Sequence, residues 1–137
     1  MADVLVVDDE KSIRLTASAF LQDAGHTTYE AASIPEAERI LEEQSIDVAV
    51  VDLLLGTESG LVVARQIREQ QPNAQIIMAT GKPDIASARE AIRLRFFDYL
   101  TKPVPKELIL DIVAGAFAEK CRRDRYDRMQ AEGQEYL

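Results

Sequence analysis

The sequence is poor in the residues that carry most metal, redox and disulfide chemistry. It has one cysteine, Cys121, and one histidine, His26. A lone cysteine permits no intrachain disulfide and is compatible with a reducing cytosol. Cys121 stands in a charged stretch with no identifiable base beside it, and reads as a bystander. A lone histidine excludes a multi-histidine metal site within one chain. His26 follows Gly25 in a turn and is expected at the surface, neither phosphodonor nor ligand. No apolar run approaches the ~18–20 residues of a membrane span. The N-terminus lacks a positive region followed by an apolar stretch, so no signal peptide is expected and the cytoplasm is the expected location. An excess of positive charge is also missing: the net charge is −8, all of it within residues 1–117. Such a surface repels a phosphate backbone, so direct nucleic-acid binding is not expected.

What is present has an ordinary globular balance. The 137 residues suit one domain with a single core. Hydrophobic residues make up 47% and charged residues 29%, as in a packed domain. Val4–Val7 is a short apolar run that ends on Asp8-Asp9-Glu10 and reads as a buried strand. Residues 11–24 place Ile13, Leu15, Ala17, Phe20 and Leu21 at roughly helical spacing, and Gly25 stops that helix. Thr27–Ala31 reads as a second strand. Ser33 is a candidate N-cap, with Pro35 just inside the next helix and Glu36 as capping-box partner. That helix runs to about Gln44, and Asp47–Val51 gives a third strand ending at Asp52. Residues 58–70 read as a helix broken by Pro72-Asn73. Gln75–Ala79 forms a fourth strand ending at Thr80-Gly81, and residues 84–94 a helix. Phe97–Leu100 is a fifth strand, ending at Thr101-Lys102-Pro103, and a last helix begins near Pro105.

Five βα units result. Strands one, three and four lack polar alternation, so both of their faces should be covered, as in a parallel sheet between helix layers. Right-handed crossovers then give a doubly wound α/β fold, whose ligands sit beyond the carboxyl ends of the strands. Asp8, Asp9, Asp52, Thr80 and Lys102 all fall at such ends. Each alone has a plain structural reading: a strand-end aspartate is often a helix cap, a threonine a loop hydroxyl, a lysine a surface charge. Together they place three carboxylates, a hydroxyl and an ammonium around one crevice. Converging carboxylates repel one another unless a cation neutralises them, and Mg²⁺ takes hard oxygen ligands while keeping positions open. Asp52 could then attack phosphorus as a carboxylate nucleophile, with Lys102 and the Thr80 hydroxyl on the transferring oxygens.

Val6-Val-Asp-Asp-Glu10, Val51-Asp-Leu53, Gly60, Thr80-Gly81 and Asp98-Tyr-Leu-Thr-Lys-Pro103 resemble the motifs of the receiver domain of bacterial two-component response regulators. The resemblance covers about residues 3–117. It implies a flavodoxin-like (βα)5 fold with strand order 2-1-3-4-5, and a phosphorylation-dependent signalling switch rather than an enzyme with turnover. It implies Asp52 as phosphoacceptor and Asp9 with Asp52 as direct Mg²⁺ ligands. Asp8 would act through water, and the Leu54 backbone carbonyl would complete the set. Thr80 and Lys102 would bind the phosphoryl group, Thr80 and Tyr99 would move as a switch, and the bond before Pro103 would be cis. The implied donor is a sensor histidine kinase or a phosphotransfer protein. The implied output surface is the face of the fourth helix, fifth strand and fifth helix. A homodimer through that face or through the C-terminal helix is a further expectation.

Three departures from the family pattern bear on geometry. Gly56 stands where a proline is usual, so the loop Leu55–Ser59 is expected to be more mobile. Arg95 stands where a glycine usually ends the fourth helix, and a positive φ there would strain it. Leu54 and Lys82, two residues past Asp52 and Thr80, offer no carboxylate or amide to position water, so a long-lived acyl phosphate is expected. A phosphatase with an aspartyl intermediate would commonly carry a second aspartate where Leu54 stands. A nucleotide-binding domain would need glycines where Asp8-Asp-Glu-Lys-Ser12 stands. A degenerate receiver that only docks other proteins is the remaining rival. Residues 118–137 hold as many bases as acids and read as a charged helical extension or linker. Tyr126, Met129, Gly133 and Tyr136 have heptad-like spacing within it. The sequence does not separate a single-domain regulator from a piece of a longer one.

Overall fold

The computed structural model describes residues 1–135. Five strands form one parallel sheet: β1 (Asp3–Val7), β2 (Thr27–Ala31), β3 (Val48–Asp52), β4 (Gln75–Thr80) and β5 (Asp98–Thr101). Their order across the sheet is β2-β1-β3-β4-β5. The helices are α1 (Lys11–Asp23), α2 (Ile34–Glu43), α3 (Leu61–Gln70), α4 (Ile85–Arg93) and α5 (Lys106–Glu135). This is the doubly wound, five-stranded α/β fold expected from the sequence.

The alternation of strand side chains divides the core in two. Leu5, Val7, Ala49, Val51, Ile76 and Met78 face α2 and α3, meeting Ala37, Leu41, Val63 and Ile67. Val4, Val6, Val48, Val50, Ile77 and Ala79 face the other way, meeting Leu21 of α1 and Ile109, Val113 and Ala116 of α5. Each fully buried aliphatic side chain contributes roughly 1.5–3 kcal/mol of transfer free energy. Continuous apolar runs rich in β-branched residues suit strands covered on both sides, and β1, β3 and β4 have such runs.

Local signals account for the helix starts. Ser33 caps α2 by accepting the Glu36 N–H, and the Glu36 carboxylate accepts the Ala32 N–H in return. Asp84 caps α4 by accepting the Ser87 N–H at 2.7 Å. Three expectations are corrected. The segment after Asp52 does not begin a helix at residue 58. Leu54–Leu55 and Glu58–Ser59 pair as an antiparallel hairpin, and α3 starts only at Leu61. Gly56, at φ +66°, supplies the turn. His26 is buried rather than at the surface, because the turn after α1 folds under the start of β1. Its Nδ1 accepts the Ala2 N–H at 3.2 Å. Phe97 lies just outside the fifth strand, which begins at Asp98.

Arg95 has φ +57°, the left-handed conformation that a glycine would take without strain. α5 runs unbroken through the charged segment. Lys120 pairs with Asp47 and Asp124, and Asn73 donates to Asp124 and Asp127, which ties the extension to the amino-terminal edge of the sheet. Tyr126 and Met129 of the heptad-like series are exposed, and Tyr136 lies outside the described residues. No helix among the described residues is long and apolar enough to cross a membrane.

Candidate functional site

The acidic residues converge because β1 and β3 are neighbours in register, Val7 opposite Val51. Asp8 and Asp52 follow these positions, and their side chains line the same cleft between the sheet and α1. One carboxylate oxygen from each of Asp8, Asp9 and Asp52 lies within 4.8 Å of the others. Asp8 and Asp52 are buried, while Asp9 is exposed.

Lys102, carried just beyond β5, reaches back into this cluster. Its Nζ donates to Asp8 Oδ2 at 2.5 Å and to Asp52 Oδ2 at 2.9 Å. Three of the other four carboxylate oxygens take backbone amides: Asp8 Oδ1 from Glu10, Asp52 Oδ1 from Leu54, and Asp9 Oδ2 from Gly56. The last bond fastens the hairpin to the acidic turn. Burial pushes the Asp52 carboxyl above its usual range, and the Asp8 charge adds to this, against the pull of Lys102 and the Leu54 amide. Burial pulls the Lys102 ammonium down, but its hydrogen bonds to Asp8 and Asp52 outweigh that, and its pKa is raised.

One ammonium does not balance three carboxylates. The donor set is all oxygen, partly buried and short of positive charge, which fits a hard divalent cation with a few protein ligands and several waters. Leu54, the candidate carbonyl ligand, opens the hairpin two residues after Asp52.

Gly60 fixes the position of Asp52 from below. Its amide donates to the Leu53 carbonyl at 2.7 Å, and a Cβ at Gly60 would stand 1.9 Å from the Asp52 carbonyl oxygen. Thr80 ends β4 and is buried, and its Oγ1 accepts the Lys82 N–H at 3.1 Å. By strand alternation it shares the face of Ile76 and Met78, opposite to that of Asp52. Tyr99, in register with Met78, packs on the same side and points its hydroxyl at α4, 2.5 Å from Ser87 Oγ. The Lys102–Pro103 peptide bond is cis. Each candidate residue thus lies at or next to the carboxyl edge of the sheet, with the charged groups on one face and Thr80 and Tyr99 on the other.

Two contributors carried no motif. Arg14 of α1 donates to the Asp8 carbonyl at 2.8 Å and pairs with Glu30, fixing the acidic turn. The cleft beside Asp52, of about 540 Å³, is walled by Ile13 and Phe20, which read from the sequence simply as helix residues, and by Val104 and Ile109.

Known proteins are similar in sequence and in fold. The family model described as a response regulator receiver domain matches residues 4–114. The chain is 37% identical over 100 residues to the alginate biosynthesis transcriptional regulatory protein AlgB of Pseudomonas aeruginosa, covering 73% of this chain and 22% of that protein. It spans about a quarter of the length of the curated relatives it matches. A CheY-like receiver domain protein from Methanospirillum hungatei superposes with a TM-score of 0.86 at 21% identity, over 90% of this chain and 98% of that one. A response regulator protein from Burkholderia pseudomallei, solved with a phosphorylated aspartic acid, calcium ion and citrate, superposes with a TM-score of 0.77 at 27% identity. That match covers 95% of this chain and 75% of the other. With the fold, the acidic cluster and the family model in agreement, the chain belongs to the response regulator receiver domain family.

Proposed function

We propose that residues 1–117 work in the cytoplasm as a phosphorylation-dependent switch, with residues 118–137 as its helical extension. Asp52 accepts a phosphoryl group, with Mg²⁺ as cofactor, from a sensor histidine kinase or a phosphotransfer protein. The observation that carries this reading is the bridging of Asp8 and Asp52 by Lys102 inside a cluster of three carboxylates. The phosphorylated aspartic acid of the Burkholderia pseudomallei protein supports it by likeness.

Asp8, Asp9, Asp52 and the Leu54 carbonyl would hold the Mg²⁺, which when bound neutralises charge on the carboxylates and on the phosphoryl oxygens. A carboxylate oxygen of Asp52 attacks phosphorus in line. The phosphorus–nitrogen bond of the donor phosphohistidine breaks, and its electron pair leaves on the imidazole. Lys102 carries its charge from the carboxylate to a phosphoryl oxygen, and the Thr80 hydroxyl donates to another. Tyr99 then moves into the space Thr80 vacates, and the surface of α4, β5 and α5 changes for a downstream partner, a second copy of the chain included.

The test is intact-mass measurement after incubation with Mg²⁺ and acetyl phosphate. Gain of one phosphoryl group is expected, with none in Asp52→Asn and none without Mg²⁺. No labelling from any donor would leave a receiver that only docks other proteins. The exposed Leu54 and Lys82 provide no group to hold an attacking water, so the acyl phosphate persists. A hydrolysis half-life of seconds, followed by loss of label after donor removal, would refute that persistence.

A further inference from the structure

The hydroxyl of Tyr99 belongs to a closed ring of hydrogen bonds at the start of α4. It accepts the Asp84 N–H at 3.4 Å and lies 2.5 Å from Ser87 Oγ. Ser87 Oγ donates to the Asp84 carbonyl at 3.1 Å. The Ser87 proton is thereby used, so the proton between the two hydroxyls comes from Tyr99. Each donor in the ring serves one acceptor. Ser87 is 3% exposed, so water does not readily replace the two bonds of its hydroxyl.

The ring closes one end of a segment whose other end is Thr80. There the Lys82 N–H donates to Thr80 Oγ1. Residues 80–87 are therefore fastened twice, to Thr80 at one end and to Tyr99 through Ser87 and Asp84 at the other. In this arrangement the Thr80 hydroxyl serves its own loop. Its own proton is free, but it lies on the sheet face opposite Asp52. To reach a phosphoryl group on Asp52 it must move, and the loop bonded to it through Lys82 must shift against the ring.

We propose that Ser87 is a positioning residue: through Tyr99 and Asp84 it holds residues 80–87 in the arrangement that keeps Thr80 on its own loop, and so restrains phosphoryl uptake by Asp52. The proposal rests on the switch reading given above. Ser87→Ala and Tyr99→Phe each remove one hydroxyl from the ring and retain most of the packing. Each is expected to speed Mg²⁺-dependent labelling by acetyl phosphate about three- to tenfold, as the competent fraction rises by the strength of one buried hydrogen bond. The double variant should label no faster than the faster single, because the same ring is opened once. Multiplying effects overturn the proposal, as does unchanged or slower labelling with only a lowered melting temperature. NMR of the labelled tyrosine ζ-carbon reads the ring without any donor, and the Tyr99 signal should shift in Ser87→Ala. An unmoved signal overturns the ring itself. A shifted signal in a protein that takes no label from any donor overturns the switch reading and Ser87's role in it, leaving the ring as a structural contact.

Discussion

A single methyl group decides whether Asp52 can stay where it is. At Gly60 a Cβ would stand 1.9 Å from the Asp52 carbonyl oxygen, which is backbone and has no free rotamer to yield. Gly60→Ala should therefore cost about 3 kcal/mol, read by urea unfolding, and should slow labelling of Asp52 at the same time. Wild-type stability in that variant would show that the hairpin yields instead. His26 makes a different residue-scale prediction. Its Nδ1 accepts the Ala2 N–H, which only the neutral ring can do, and burial together with the N-terminal charge lowers its pKa below 6.5. The folded state then binds fewer protons than the unfolded one, so its contribution is whole above pH 6.5. That contribution is lost as pH falls through the depressed folded pKa. The slope from one group is at most about 1.4 kcal/mol per pH unit. His26→Asn, which has no ring proton to gain, should flatten this part of the profile. Parallel profiles for the two proteins would reject the assignment.

At the scale of elements, the junction after α4 carries strain. Arg95 holds φ +57°, while its carbonyl and that of Leu94 accept from the Arg68 guanidinium. The same guanidinium donates to Pro72 and Ala74, so one side chain joins the ends of α3 and α4. Arg95→Gly keeps every one of these backbone acceptors and removes the steric penalty. The entropy that glycine loses on folding offsets part of the gain, leaving a net stabilisation of about 1 kcal/mol by thermal or urea unfolding. The elements also mark how far the sequence could be read. Apolar runs such as Val48–Val51 announced their strands because burial on both faces demands such residues. The hairpin at residues 54–59 was missed because strands of two residues have no period to detect, and Gly56 was its one signal.

For the molecule as a whole, the gathering of Asp8, Asp9, Asp52 and Lys102 was legible because it follows from topology: a parallel sheet collects its strand ends, and these candidate residues stand at those ends. Contacts between distant segments were not legible. Nothing around His26 reports Ala2, and nothing around Asn73 reports Asp124 and Asp127, because such pairs form only once the sheet has brought the segments together. Asn73 carries the prediction at this scale. Asn73→Ala should speed amide hydrogen exchange along residues 120–135 while changing global stability by less than about 1 kcal/mol. Unchanged exchange there would mean that the extension needs no anchor.

The two-sided core has a consequence for how mutations in this domain would sort. The sheet is a wall one peptide thick. Its α1 and α5 side carries Asp52 with Val50 and Ala79, and its α2 and α3 side carries Tyr99 with Met78 and Ile76. On the proposed reading chemistry and motion thus occupy separate rooms, and the doorway between them is the carboxyl rim where Thr80 ends its strand. On that reading, substitutions on the Asp52 side should act on phosphate uptake directly, and those on the Tyr99 side should reach it only through Thr80 at the rim.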